Sequence, residues 1–118
     1  MKFYTKDKPN GTKSMLFECP GCESMHMVHV AGTGHPVWTF NGNVFFPTVS
    51  PSVLVKWDQW FPSASNPEIR SKIKSGEIVQ EKKAMVCHSF IKDGMIQFLN
   101  DCTHKLAGQT VEIPEWEE

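Results

Sequence analysis

Apolar and polar residues alternate over short stretches of this chain, the period of two that half-buried strands require. Residues 14–18 (SMLFE) read as a strand, and residues 25–30 (MHMVHV) as its return partner. Residues 37–40 and 44–46 (VWTF and VFF) flank Asn41-Gly42, two residues that tolerate positive φ, so a hairpin is expected there. Pro47-Thr48-Val49-Ser50-Pro51-Ser52 then interrupts the pairing, because neither proline can donate to a ladder. Val53-Leu54-Val55 resumes a strand, and positions 56–67 read as a loop carrying Trp57, Trp60 and Phe61. One short helix is expected from Pro67, with Asn66 as N-cap, Ile69 and Ile73 on one face and Gly76 as the stop. A second hairpin follows, residues 84–91 returning as 95–99 around Lys92-Asp93-Gly94.

The expected fold is mainly β, a small antiparallel sheet and hairpin domain with at most one or two short helices. Its 118 residues make one domain, with 56–83 as a loop and short-helix insertion and 114–118 as a frayed acidic tail. Such a chain buries a modest core, and a structural metal would reinforce it.

Composition narrows the setting. Hydrophobic residues make up 40% and charged residues 21%, which excludes a disordered chain. The formal net charge of −1 offers no basic field, so nucleic acid is disfavoured as a partner. There is no apolar run of the roughly 18 residues a membrane helix needs. Residues 1–8 show no apolar export core, so a cytoplasmic location is expected. In that reducing setting four cysteines favour metal ligation over disulfides.

The cysteines fall into two groups. Cys19-Pro20-Gly21-Cys22 is a CxxC knuckle, and a strand-like run after it argues against a redox pair opening a helix. Cys87 and Cys102 lie far downstream, and pairing across the 92–94 turn can bring them together. Two ligands from a tight turn and two from a distant segment make a tetrahedral zinc site, with Cys19, Cys22, Cys87 and Cys102 as the simplest set. His104 or His26 could replace one cysteine. Four thiolates would close the site and make the zinc structural, whereas three ligands would leave room for a hydrolytic water.

Strand alternation gives the remaining candidates. If Cys87 points at the metal, His88 points away from it, free to act as an acid or base. Ser50 and Ser52 sit in a stiff proline-bounded stretch, the setting a nucleophile needs, with His88 or His104 as base and Asp101 as the carboxylate to orient a histidine. The plainer account is a proline turn capped by hydroxyls. The aromatics Trp57, Trp60 and Phe61 form either a partner-binding patch or a lid over the core.

Five segments carry a resemblance: Phe17 to Cys22, Val37 to Gly42, Pro47 to Ser52, Cys87 to Gly94 and Asp101 to Val111. Together they resemble a family of small phage and prophage proteins often labelled "ammonia monooxygenase". That label fits neither the absence of a membrane span nor that of a copper site in the sequence. More distant bacterial relatives with a Cys-rich knuckle, a Ser-Pro-Ser turn and a Ser-His strand sit beside ubiquitin-like conjugation proteins and are regarded as peptidases. The resemblance implies a zinc scaffold, His88 as base and Ser50 or Ser52 as nucleophile. The chain departs from those relatives in having Cys87 where they carry serine, and in its added segment from Asp101 to Val111.

The expected function is therefore that of a small phage-type, zinc-stabilised hydrolase, a serine-type peptidase on a ubiquitin-like or other protein substrate. Two alternatives stand beside it: a non-enzymatic module that inhibits or recruits a host protein, and a zinc-water hydrolase.

Overall fold

The computed structural model describes residues 1–116. Two antiparallel sheets pack face to face. The first has the order β1-β2-β3, with β1 at Tyr4–Asp7, β2 at Lys13–Cys19 and β3 at Ser24–Ala31. The second has the order β4-β5-β6-β7-β8, with β4 at Thr39–Phe40, β5 at Val49–Phe61, β6 at Glu81–Lys92, β7 at Met95–Phe98 and β8 at Thr110–Glu112. One helix, α1 at Pro67–Ser75, joins β5 to β6. The fold is mainly β, as the alternation pattern requires. Among the described residues no helix is long and apolar enough to cross a membrane.

The core lies between the sheets and follows the pleat. Met15, Phe17 and Cys19 of β2 and Val28 of β3 face Val49, Val53, Cys87, Ile91, Ile96 and Phe98 from the second sheet, all buried. Phe3 stacks between Phe17 and Phe40, with ring centroids 5.4 Å and 5.7 Å away. Leaving the core at every second residue, β6 sends Cys87, Ser89 and Ile91 inward and His88, Phe90 and Lys92 to the outer face.

The hairpins predicted around residues 19–24 and 92–94 form. In the second, Lys92 pairs with Met95, leaving Asp93-Gly94 as a two-residue turn with φ of 51° and 79°. The helix has the expected caps: Asn66 Oδ1 accepts from Glu68 N–H at 2.8 Å, and Gly76 is left-handed at φ 86°.

Two sequence expectations are corrected. Asn41-Gly42 does not close a hairpin, because β4 pairs with β5 (Thr39 with Ser50, Phe40 with Val49) rather than with residues 44–46. Asn43 Oδ1 instead accepts from the N–H groups of Phe45 and Phe46, curling that stretch into a turn. Positions 56–61 and 81–83 are not loop but the far ends of β5 and β6, paired from Lys56↔Val86 to Phe61↔Glu81. This two-stranded arm, tipped by α1, explains a radius of gyration of 16.9 Å against the roughly 13.5 Å of a compact chain this long. Trp57 faces inward and packs against the core, whereas Trp60 is 53% exposed on the opposite face.

Of the expected tail, residues 114–116 are tied down. Trp116 N–H donates to Met1 C=O at 2.8 Å, and its indole N–H donates to Leu16 C=O at 3.2 Å. Positions 117–118 lie outside the described residues.

Candidate active site and thiol cluster

A bulge in β5 creates the first element of the site. The register runs Val49↔Ile91 and then Val53↔Ser89, so Ser50, Pro51 and Ser52 all stand against Phe90. Pro51 cannot donate to the ladder, and the three-against-one count turns the segment out of regular pairing. The Trp38 indole N–H donates to Ser52 C=O at 3.2 Å and fixes the far end of the bulge.

The outcome separates the two serines. Ser52 Oγ lies 3.0 Å from His88 Nε2, and His88 Nδ1 lies 3.0 Å from Asp101 Oδ2. Ser50 pairs with Thr39 of β4 and stays exposed, away from this chain of contacts. His104 packs edge-on against Phe98, with its Nε2 3.7 Å from Cys87 Sγ, so it belongs with the thiols and not with the serines.

Asp101 reaches His88 because its loop is laced along β6. Leu99 N–H donates to His88 C=O at 2.9 Å and Thr103 N–H to Val86 C=O at 2.9 Å, while Val86 N–H donates to Thr103 Oγ1 at 3.0 Å. Asp101 sits between those anchors, opposite His88. With Nδ1–H donating to the carboxylate, Nε2 is left to accept from the Ser52 hydroxyl. Nucleophile, base and orienting carboxylate in hydrogen-bond series are the arrangement that activates a serine. The His88 side chain is 24% exposed, on the outer face of the sheet.

The cysteines lie behind His88, on the inner side. Cys19, Cys22, Cys87 and His26 have their ligand atoms within 4.8 Å of one another. Cys102 joins a second group, with Cys87 and His104, so Cys87 is shared and the four thiols do not form one set. Tetrahedral zinc with Zn–S bonds of about 2.3 Å sets its sulfurs roughly 3.8 Å apart. Cys19 Sγ and Cys87 Sγ are separated by 3.8 Å. Cys22 N–H points at Cys19 Sγ from 3.5 Å, closing the knuckle, and a Cβ built on Gly21 would fall inside the His104 ring.

The thiols of this group are electrostatically linked. Cys19 is pushed down to about 4, first by the hydrogen bond from Cys87 and also by the neighbouring His26. Cys22 is pushed up to about 12, by burial and then by the charge of Cys19, and Cys87 is raised as well. A bound divalent ion would favour the thiolate form of all three. The buried His26 Nε2 has no hydrogen-bond partner among the described residues, which leaves its lone pair available to a metal ion. The donor set therefore fits zinc. The simplest set expected from the sequence had Cys102 in the place that His26 takes; the C-x2-C-x3-H spacing from Cys19 to His26 is the signal that could have ranked His26 beside the knuckle cysteines.

Comparison with curated proteins and with solved structures returns no match. Residues 1–99 match the family model described as bacterial ubiquitination-like system serine protease (BubE), a stretch that includes the knuckle, Ser52 and His88 and stops just short of Asp101. A match over this much of the chain, together with a serine and a histidine in hydrogen-bond contact inside it, means that the protein belongs to the BubE family of bacterial ubiquitination-like system serine proteases.

Proposed function

We propose that the protein is a serine-type peptidase acting on a ubiquitin-like or other protein substrate, with Ser52 as nucleophile, His88 as general base and Asp101 as its orienting carboxylate. The observation that carries this reading is the unbroken series Ser52 Oγ, His88 Nε2, His88 Nδ1, Asp101 Oδ2, each link 3.0 Å.

The chemistry follows from that geometry. His88 Nε2 takes the Ser52 proton as Oγ bonds to the scissile carbonyl carbon, and the Asp101 carboxylate stabilises the imidazolium that forms. The imidazolium then gives its proton to the leaving amine as the C–N bond breaks, leaving an ester on Ser52. Water, deprotonated by the same nitrogen, hydrolyses the ester and restores the serine. A zinc ion on Cys19, Cys22, His26 and Cys87 would supply a cross-link between β2, β3 and β6 and take no part in these steps. The family description supports the ubiquitin-like substrate.

A fluorophosphonate probe tests the assignment. Wild type and Ser50→Ala should be labelled, whereas Ser52→Ala and His88→Ala should not. Labelling that survives in Ser52→Ala, or that is lost in Ser50→Ala alone, would remove Ser52 from its role.

A further inference from the structure

The outer face of the second sheet carries a feature that the triad does not use. A groove of about 580 Å³ runs between the bulge in β5 and Thr110 of β8, floored by Phe90, Met95 and Gln97. Phe90 is 47% exposed and Met95 38% exposed, on a face where the alternation would ordinarily place polar side chains. Ser50 lines one wall. Cross-strand pairing aligns the floor: Phe90 pairs with Gln97, which pairs with Thr110, while Lys92 pairs with Met95.

The groove adjoins the Ser52–His88–Asp101 series through Phe90, although none of the three residues lines it. Phe90 is two residues beyond His88 on the same face of β6, about 6.6 Å along the strand. Phe90 is also the residue against which the bulge carrying Ser52 stands. A polypeptide bonded through a carbonyl at Ser52 would therefore have a side chain flanking the scissile bond above Phe90. The charges that line the groove, Lys92 and Asp93, cancel, so nothing there selects a charged side chain. Its size falls within the range of binding clefts and exceeds what a small side chain would fill.

We infer that this groove is a specificity subsite for a bulky apolar side chain of the substrate polypeptide, at a residue flanking the cleaved bond, with Phe90 and Met95 as its floor. The inference rests on the peptidase reading and names the substrate class for it. It also assigns the exposed Phe90 a purpose: removing its ring should cost discrimination for large apolar residues by roughly 10- to 100-fold in kcat/KM.

The test is cleavage of a mixed peptide library by the full chain, with cut sites read by mass spectrometry, alongside fluorophosphonate labelling of the wild type. The expected result is enrichment of leucine, methionine or phenylalanine beside the cut, lost in Phe90→Ser and weakened in Met95→Ser, while Glu68→Ala on the distant helix keeps the wild-type profile. Thermal melting of each variant separates loss of selectivity from loss of fold. Labelling at Ser52 with a cut-site profile indifferent to apolar residues, or one that Phe90→Ser leaves unchanged, would overturn the groove and leave the peptidase reading standing. Absence of labelling at Ser52 would overturn both.

Discussion

The Cys102 thiol grips the backbone of His88 from both sides: His88 N–H donates to Cys102 Sγ at 3.2 Å, and the thiol donates to His88 C=O at 3.1 Å. Cys102 follows Asp101 directly in the chain, and Cys87 directly precedes His88. Two cysteines are thus one peptide bond away from two members of the Ser52–His88–Asp101 series. The inner thiols hold the strand and loop whose outward neighbours make the His88–Asp101 contact.

Cys102 is expected to position His88. Cys102→Ala should lower kcat about 10-fold with KM little changed, the cost of loosening the base by about 1.4 kcal/mol. Cys102→Ser, which keeps a donor and an acceptor, should recover most of it. Zinc content measured on both variants separates this from ligation: loss of the metal with the thiol would make Cys102 a ligand within the Cys87–His104 group instead.

Asp101→Asn should retain the fold and lose roughly 10⁴-fold in kcat, because the amide can hold His88 in the wrong tautomer. Asp101 is 55% exposed and links two laced anchors, so little stability should depend on its charge. Steady-state kinetics with a cleaved peptide checks this, and an Asp101→Asn variant within a factor of ten of wild type would count against the series.

Metal removal should destabilise rather than switch off chemistry directly. The purified chain should hold about one zinc ion. Cys22→Ser or a strong chelator should lower the melting temperature by 10 °C or more, as expected at roughly 4–8 °C per kcal/mol when a cross-link worth a few kcal/mol is lost from a small domain. Metal analysis paired with calorimetry gives the answer, and a chelator without effect on melting would dismiss a structural metal.

His29 provides a pH dependence. Its imidazole is held below the ordinary value of 6.5 by burial, then by the charges of His35 and Lys8. The ring of His35 stacks 4.0 Å from it, and Ser14 Oγ lies 2.8 Å from its Nδ1. In the unfolded chain His29 binds a proton near its ordinary value, and in the folded chain it does so only at lower pH. Between those two values unfolding takes up a proton, so stability falls as pH drops below about 6.5 and gains nothing from this residue above it. Denaturant titrations across that range should show the slope, and His29→Gln should flatten it.

Much of this protein was legible in local pattern. Alternation placed the strands of both hairpins, and it put His88 on the face opposite Cys87, because neighbouring residues on a strand must diverge. Asn66, Pro67 and Gly76 fixed the helix through capping chemistry that acts within a few residues. The CxxC knuckle, the stiff Ser50-Pro51-Ser52 stretch and Asp101 stood out for what those residue types can do.

Other features required the folded chain. Asn41-Gly42 carries a hairpin signal, yet β5 offers β4 a better partner than residues 44–46 do, and long-range pairing overrode the local preference. Positions 81–83 are all charged, and at 56–61 Trp57 and Trp60 fall on opposite faces, so the one-sided alternation that marks a half-buried strand is missing there. The choice of Ser52 over Ser50 depends on a bulge defined only by the register with β6. The division of the thiols, with Cys102 beside His88 and His26 beside the knuckle, depends on how two sheets meet. Residue types and strand alternation show which groups are chemically capable and which face of a strand each one takes. Which of them touch emerges only on folding, because contacts between residues 52, 88 and 101 are set by pairing and packing across long stretches of chain and not by any local periodicity.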